Sequence, residues 1–183
     1  RQQLGLPADQ RIFLSVGHLV ERKGNHIAIE AMVKFSESLL LIAGSGPELG
    51  RLQQLASQLG VDDRVRFLGQ IANDQLSTWY SAADALILCS SREGWANVLL
   101  ESMACGTPVV SSNAASLPEV VGTAGITVDP YDVEALFLSM REVLEDTALA
   151  TRLSLQGLAQ AQQFSWEITA ANTVEVYKKV LGL

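Results

Sequence analysis

Two glutamates, Glu93 and Glu101, are the residues of this chain best suited by type and spacing to bind a polar ligand. The seven residues between them, GWANVLL, include a Gly-Trp pair, an Asn and an apolar run. A carboxylate beside apolar groups loses solvation, and burying it unpaired is costly. An ionised carboxylate can accept hydrogen bonds from two vicinal hydroxyls, each worth roughly 1.5–3 kcal/mol. Ribose and hexoses present such hydroxyls, so the two glutamates could bind a sugar. The alternative interpretation is that Glu101 only complements a helix dipole and that Glu93 is exposed to solvent.

A second candidate site is the loop GHLVERKGN at residues 17–25, which carries the adjacent cations Arg22 and Lys23. Gly17 lets the backbone turn sharply, and Gly24 opens a predicted helix. Free amides and the positive dipole end of a helix start favour an anion, so this loop could hold a phosphate. A solvated cluster of surface charges explains the loop alone equally well.

A third candidate is the loop AGSGPELG at residues 43–50, whose small residues would let a ligand approach the backbone. Its glycines, Gly44, Gly46 and Gly50, are not spaced as G-x-G-x-x-G, because the third comes one residue late. The loop also follows the second predicted strand rather than the first. It therefore indicates NAD binding only weakly, and a tight turn without a ligand is as good an interpretation.

Apolar runs that alternate with helical periodicity supply the elements that would position these loops. The runs predict strands at residues 11–16, 39–43, 65–68, 84–89, 108–111 and 125–128. Such near-continuous apolar strands separated by helices indicate an α/β fold: a doubly wound, Rossmann-like parallel sheet of about six strands with helices on both faces. Ligands of such sheets bind beyond the carboxyl ends of the strands. The three loops each follow a strand, so we expect them to form one site.

The helical segments are predicted from apolar periodicity and from residues that favour helix ends. Asn73 or Asp74, Asn97 and Asp132 are expected to cap the helices that follow them. The predicted helices cover residues 25–36, about 49–59, about 74–83, 98–104, about 133–143, 148–163 and 166–181.

The bulk composition fits one folded domain of 183 residues, with 48% hydrophobic and 18% charged residues. A net charge of −7 argues against a nucleic-acid binder, since that function needs a basic surface. Cys89 and Cys105 do not suggest a disulfide framework, and we expect small core residues in a reducing compartment. No apolar run reaches membrane-span length, and no signal-peptide pattern follows Arg1. We therefore expect a cytoplasmic segment of a longer protein.

The stretch from Glu93 to Glu101 resembles the E-x7-E signature of family 4 (group 1) glycosyltransferases, which are retaining, nucleotide-sugar-dependent enzymes of the GT-B fold. Other pieces occur in the family's order and cover nearly the whole chain. They are G-x-L-x-x-x-K-G at 17–24, A-G-x-G-P at 43–47, R-F-L-G at 66–69, ADALILCSS at 83–91, EGWANVLLESMACGTPVV at 93–110 and LPEVV at 117–121. Only the E-x7-E block is specific by itself, but the ordered set is specific.

The resemblance implies a role for each end of the site. Lys23, with Arg22 nearby, would neutralise the donor diphosphate and stabilise it as it leaves; Glu101 would hold the ribose hydroxyls and Glu93 those of the transferred sugar. No metal or other cofactor is implied, and the chain has no carboxylate pair with D-x-D spacing. Two further groups of donor-binding residues follow from the match. The first group would direct backbone amides at the phosphates or the sugar: Gly94, Trp95, Ala96, Asn97 and Val98. The second group would make the remaining contacts to the donor, including those to the base: Gly17, His18, Gly44, Gly46, Arg66, Phe67 and Leu68.

The sequence departs from the family pattern at two places. His18 stands where family members often carry Arg, so Arg22 or His18 itself would serve the phosphate. Ala114 and Ala115 replace a glycine pair before P-E-V, which puts a close backbone contact there in doubt.

The resemblance also implies that residues 1–183 form a single domain, the C-terminal donor-binding half of a two-domain enzyme. Residues 1–10 would lead in from an absent N-terminal acceptor-binding domain. The helix within residues 165–183 would return to that domain or simply cover the sheet. The full enzyme would work in polysaccharide biosynthesis and would be located in the cytoplasm. The resemblance also allows it to associate peripherally with the inner face of the membrane.

The leading hypothesis is a domain that binds a UDP- or GDP-sugar for hexosyl transfer to a glycan or lipid-linked acceptor, and that is inactive when isolated. The alternative is a non-catalytic nucleotide-recognition module, which loss of both glutamates would favour. An NAD-dependent oxidoreductase is disfavoured, because Gly17, His18 and Leu19 follow the first strand in place of a glycine fingerprint.

Overall fold

Six parallel strands form one sheet in the computed structural model, which describes residues 1–182. The strand order is β3-β2-β1-β4-β5-β6, so the chain reverses its direction of winding between β1 and β4. This confirms the doubly wound, Rossmann-like fold and places its switch point at β1 and β4. The strands are β1 (Ile12–Val16), β2 (Leu39–Ala43), β3 (Val65–Gly69), β4 (Ala85–Leu88), β5 (Val109–Ser112) and β6 (Gly125–Val128).

Helices cover both faces of the sheet and divide the core into two layers. The helices are α1 (Asn25–Ala31), α2 (Leu49–Gln58), α3 (Asn73–Ala82), α4 (Asn97–Ala104), α5 (Leu117–Val121), α6 (Val133–Glu145), α7 (Thr147–Ala161) and α8 (Trp166–Leu181). Apolar side chains of α1, α2 and α6 pack on one face, and those of α3, α4 and α5 pack on the other. The strands β1, β2, β4 and β5 are buried along their whole length, which explains their mainly apolar sequences; the exceptions are Ser15 in β1 and the two serines that end β5.

The predicted helix starts were correct in one case and wrong in two. Asp132 caps α6, because its Oδ1 accepts a hydrogen bond from the amide of Ala135 at 2.9 Å. Asn97 does not cap α4; it is the first helical residue, and Ala96 precedes it without a side-chain bond. Likewise α3 starts at Asn73 itself, after Ala72. In both cases the helix begins no later than the residue expected to cap it, so the local capping preference placed the start one or two residues too late.

Two other helices differ from the sequence expectation. Helix α1 ends at Ala31 and continues as a 3₁₀ turn from Met32 to Lys34, where an uninterrupted helix was predicted. Helix α5 was not predicted, since its five residues, LPEVV, are too few to show a helical period.

Helix α8 has the predicted bounds but buries none of its residues. Its apolar side chains are exposed, among them Trp166, Tyr177 and Val180. The interpretation that this helix covers the sheet is therefore wrong, and its return to another domain stays a prediction. None of the helices in residues 1–182 is both long and apolar enough to cross a membrane.

Candidate functional site

A cleft of about 280 Å³ opens at the carboxyl ends of β1, β2 and β3, on the side of the sheet where α3 and α4 begin. Its position near the switch point is where doubly wound sheets bind ligands, and its volume is at the small end of the range for such sites. Five predicted site residues line it: Gly17, His18, Gly44, Val98 and Glu101. The other lining residues are Val16, Ala43, Ser45, Gln70, Ile71, Asn73 and Leu76.

The floor of the cleft is backbone from two loops that are packed directly together. A Cβ at Gly44 would lie 1.8 Å from the carbonyl oxygen of Gly17, and one at Gly46 would lie 2.3 Å from that of Leu19. The amide of Leu19 donates to the carbonyl of Ser45 at 2.9 Å, which joins the loops further. Glycine is therefore required at positions 44 and 46 by contact between the loops, and Gly46 does not line the cleft.

Lys23 and Glu93 form an ion pair beside this floor. The Lys23 ammonium contacts Glu93 Oε1, and the two side chains are only 14% and 7% exposed. The same ammonium lies beside Gly17, since a Cβ there would be 3.6 Å from Lys23 Nζ. Glu93 is thus not an exposed carboxylate, and Lys23 is not part of a solvated surface cluster. Two groups expected to contact different parts of one ligand contact each other.

Close backbone packing holds the lysine loop against the end of β4. A Cβ at Gly24 would lie 2.1 Å from the carbonyl oxygen of Cys89, so only glycine fits there. The amide of Ser91 donates to the carbonyl of Arg22 at 2.8 Å. The Arg22 side chain is exposed, donates to the carbonyl of Arg92 at 3.2 Å and does not line the cleft. Lys23 and Glu93 do not line the cleft either, but of the two adjacent cations only Lys23 lies beside a lining residue, Gly17.

Two buried serines orient Glu93, and the sequence analysis missed both. Ser90 Oγ donates to Glu93 Oε1 at 2.7 Å, and Ser112 Oγ donates to the carbonyl of Ser90 at 2.5 Å. Both serines are fully buried. Their signal in the sequence is a polar residue directly at the end of an otherwise apolar strand, in LILCS and PVVSS.

Glu101 lies in the second turn of α4 and has different surroundings. Its side chain reaches the cleft and is exposed, and its Oε2 accepts a hydrogen bond from the hydroxyl of Tyr80 at 2.7 Å. Burial, followed by the nearby Glu101 carboxylate, raises the pKa of Tyr80 above the usual range of a phenol. Tyr80 is therefore a neutral donor at any ordinary pH. The sequence analysis did not identify it as a site residue.

The segment from Gly94 to Val98 forms the rim and the start of α4. Helix α4 has no side-chain cap: in its first turn the amide of Leu99 donates to the carbonyl of Ala96 at 3.0 Å, whereas those of Asn97 and Val98 point out of the helix without an acceptor within it. Ala96 is buried, whereas Gly94, Trp95 and Asn97 are exposed. The Trp95 ring packs edge-on against Phe164, with 5.4 Å between ring centroids. These amides could face an anion, as the resemblance implies; the role stays a prediction.

The residues expected at the base lie in β3 and do not line the cleft. Arg66 is exposed, while Phe67 and Leu68 pack against the two core layers. The cleft wall on this side consists instead of Gln70, Ile71 and Asn73, just beyond the strand. Their only signal in the sequence is that they follow Gly69, where the strand ends.

Ala115, at a position where the family has glycine, adopts a positive φ of 52°. That left-handed conformation costs a residue with a Cβ about 1–2 kcal/mol, because the Cβ crowds the backbone. Glycine, which has no Cβ, adopts it without this cost. The next residue, Ser116, donates from Oγ to the carbonyl of Gly94 at 2.7 Å, so this strained turn supports the rim. Within residues 1–182 no cluster of three or more His, Cys, Asp or Glu side chains could hold a metal ion.

Comparison with known proteins gives consistent matches to one family. The family model for glycosyl transferases group 1 matches residues 1–160. A D-inositol 3-phosphate glycosyltransferase of Thermobispora bispora is 36% identical, over 99% of this chain and 46% of that protein.

Solved structures of glycosyltransferases and related proteins share the fold of this chain. A sucrose-phosphate synthase from Thermosynechococcus elongatus superposes with a TM-score of 0.91 and 35% identity, covering 100% of this chain and 48% of that one. Anabaena HepE in complex with UDP-glucose superposes with a TM-score of 0.87 and 27% identity, covering 100% and 51%. The chain spans about half the length of the relatives it matches.

Proposed function

The chain belongs to the glycosyl transferases group 1 family, and on that basis we propose that it is the donor-binding half of a retaining hexosyltransferase. The donor is a UDP- or GDP-sugar, and the acceptor is a glycan or a lipid-linked glycan. The observation that most supports this is a single cleft with a carboxylate at Glu101 and, beside its Gly17 wall, the ammonium of Lys23.

The proposed roles follow from the chemistry of each group. Glu101 accepts hydrogen bonds from the ribose hydroxyls, and Glu93 accepts them from the transferred sugar. Lys23 neutralises the diphosphate together with the outward amides at the start of α4. Since these groups supply the positive charge that a metal ion would otherwise provide, binding and transfer need no metal. The base lies against the end of β3 and the residues that follow it.

The Lys23–Glu93 contact adds one feature to this scheme. A diphosphate that binds Lys23 must compete with Glu93 for the ammonium. Ser90 remains bonded to Glu93 when Lys23 turns towards the phosphate, so the carboxylate keeps one donor. Movement of the Lys23 ammonium from Glu93 to the diphosphate would leave Glu93 able to accept hydrogen bonds from the sugar. Diphosphate binding would in this way prepare the sugar site.

The acceptor site and the full reaction belong, in this proposal, to a second domain that packs against this one. Homologues about twice as long as the chain support it, as does the exposed apolar side of α8. The isolated chain then binds a donor without transferring sugar. In this proposal the complete enzyme acts in the cytoplasm.

Calorimetric titration of the chain with UDP, GDP and NAD tests the proposal. We expect UDP or GDP to bind, more tightly than NAD, and equally well with and without EDTA. UDP-glucose and GDP-mannose then identify which sugar adds affinity. Absence of binding to every nucleoside diphosphate would contradict the function, and a loss with EDTA would contradict the metal-free scheme alone.

A further inference from the structure

Glu101 separates the donor cleft from a second cavity, of about 310 Å³, between α3 and α4. The two spaces share Glu101, Asn73 and Leu76, but Tyr80 lines only the second cavity. The Tyr80 hydroxyl therefore reaches Glu101 from the second cavity and not from the donor cleft. The remaining lining residues of the second cavity are Ser77, Ala104 and Cys105.

Tyr80 is fixed in place by its surroundings. It is only 1% exposed, and Thr107 Oγ1 donates to its backbone carbonyl at 2.8 Å. Its ring belongs to the core layer that α3 and α4 form on the sheet. The hydroxyl is thus a donor held by the protein core and directed at one oxygen of Glu101.

Glu101, in contrast, has little to orient it apart from this bond. Its side chain is exposed and rotates about three bonds, and ordering such a side chain on binding opposes affinity. A hydrogen bond on Oε2 fixes the carboxylate and leaves Oε1 for hydroxyls in the cleft. Because burial keeps the phenol neutral by raising its pKa, this donor persists across the working pH range.

We propose that Tyr80 is a positioning residue that orients Glu101 towards the ribose of the donor, an inference that rests on the function proposed above. Tyr80 touches no part of the ligand. It increases the preference of the site for a sugar with both hydroxyls over one that lacks them, because only a fixed carboxylate can bond to both at once.

The test compares UDP with 2′,3′-dideoxy-UDP in the wild-type chain and in Tyr80→Phe, with GDP and its dideoxy form used instead if GDP binds more tightly. We expect the preference for the ribose form to fall about fivefold in Tyr80→Phe, while the dideoxy form binds as before. Tyr131→Phe is the matched control: it removes an exposed phenol hydroxyl outside the cleft, and both ligands should bind as in wild type.

A purely structural role for Tyr80 gives a different result. If Tyr80→Phe weakens both nucleotides by the same factor, or keeps the wild-type preference, Tyr80 does not orient Glu101 and the inference is wrong. If the wild-type chain binds neither UDP nor GDP, the proposed function fails first and the inference falls with it.

Glu101→Asp gives an independent test if Tyr80→Phe does not fold. It keeps the phenol and the charge but shortens the side chain by one methylene, so the carboxylate cannot reach the tyrosine and the ribose together. We expect the same loss of preference for the ribose form. Retention of the full preference in Glu101→Asp would show that a carboxylate fixed by Tyr80 is not needed, and would overturn the inference.

Discussion

Glu93 and Glu101 are two glutamates of one sequence motif, but they occupy opposite environments. Glu93 is nearly buried, and its Oε1 is shared by the Lys23 ammonium and the Ser90 hydroxyl. Glu101 is exposed and bonds to the neutral phenol of Tyr80. The charge of the first carboxylate is matched inside the protein, whereas that of the second is left for a ligand.

This difference indicates how each end of the site responds to a donor. At the Glu93 end a ligand must replace an existing ion pair, so binding there requires an exchange of partners. At the Glu101 end a ligand adds to a bond that already exists. We therefore expect the nucleotide to bind first through Glu101 and the diphosphate to rearrange Lys23.

The largest predicted difference between the two ends is in cysteine reactivity. Cys89 lies beside the Glu93 end, where burial raises its pKa to about 12, while the half-buried Cys105 lines the cavity next to Glu101. With the ordinary value at 9.0, Cys89 should hold about a thousandfold less thiolate than a free thiol at pH 8.

Ellman's reagent at pH 8 measures this difference. We expect one fast thiol, which Cys105→Ser removes, and a second that reacts only after unfolding in guanidinium. Two equally fast thiols would contradict the burial of the Glu93 end.

Lys23→Ala should cause the largest change in ligand affinity. A charge-assisted contact with the diphosphate is lost, so we expect UDP to bind about 100-fold more weakly while uridine is unaffected. Titrations with both ligands measure the difference. Lys34→Ala removes the same charge from an exposed pair with Glu134 and should change neither ligand. Equal losses for UDP and uridine would exclude a phosphate contact.

Glu101→Ala and Glu93→Ala test the division of roles directly. We expect Glu101→Ala to weaken free UDP by about 30-fold. Two hydrogen bonds to a charged acceptor disappear, but the cost of ordering the exposed Glu101 side chain on binding disappears with them. Glu93→Ala should change UDP by less than about twofold, since it frees Lys23, but should abolish any gain in affinity from an attached hexose. Similar effects of the two substitutions on free UDP would show that the assigned roles are wrong.

Ser90→Ala should produce the smallest effect. It removes one of the donors that orient Glu93, worth about 1 kcal/mol, so we expect UDP-glucose to bind about fivefold more weakly and UDP to be unchanged. Ser91→Ala is a suitable control, because its hydroxyl lies 3.4 Å from the carbonyl of Arg22 and away from Glu93. A loss with both variants would indicate a general disturbance of the loop.

The sequence predicted the fold well because the signal for a doubly wound sheet is local. The strands β1, β2, β4 and β5 are buried on both faces, so each lies in a short, mainly apolar run of the sequence. Their predicted and observed bounds differ by no more than one residue at either end. The edge of the sheet was less predictable. The pairing of β2 with β3 shifts at Ala43, which lies opposite Gly69, and the cleft wall follows at Gln70 and Ile71.

The partners of the site residues could not be predicted, because they come from distant parts of the chain. Lys23 and Glu93 are 70 positions apart, and Tyr80 and Glu101 are 21 apart. Ser112 reaches Ser90 only because β4 and β5 lie side by side. Residue type and local spacing indicated which groups could do chemistry, but only the folded sheet determines which of them share a proton or a charge.

The glycine floor of the cleft also determines where this site can evolve. No side chain fits at Gly44 without displacing the facing loop, so mutation at that position cannot reshape the cleft and keep the fold. The opposite wall, at Gln70, Ile71 and Asn73, consists of side chains that are at least partly exposed. New donor preferences should therefore arise there, and a mutant library confined to those three positions should change specificity while thermal stability is kept.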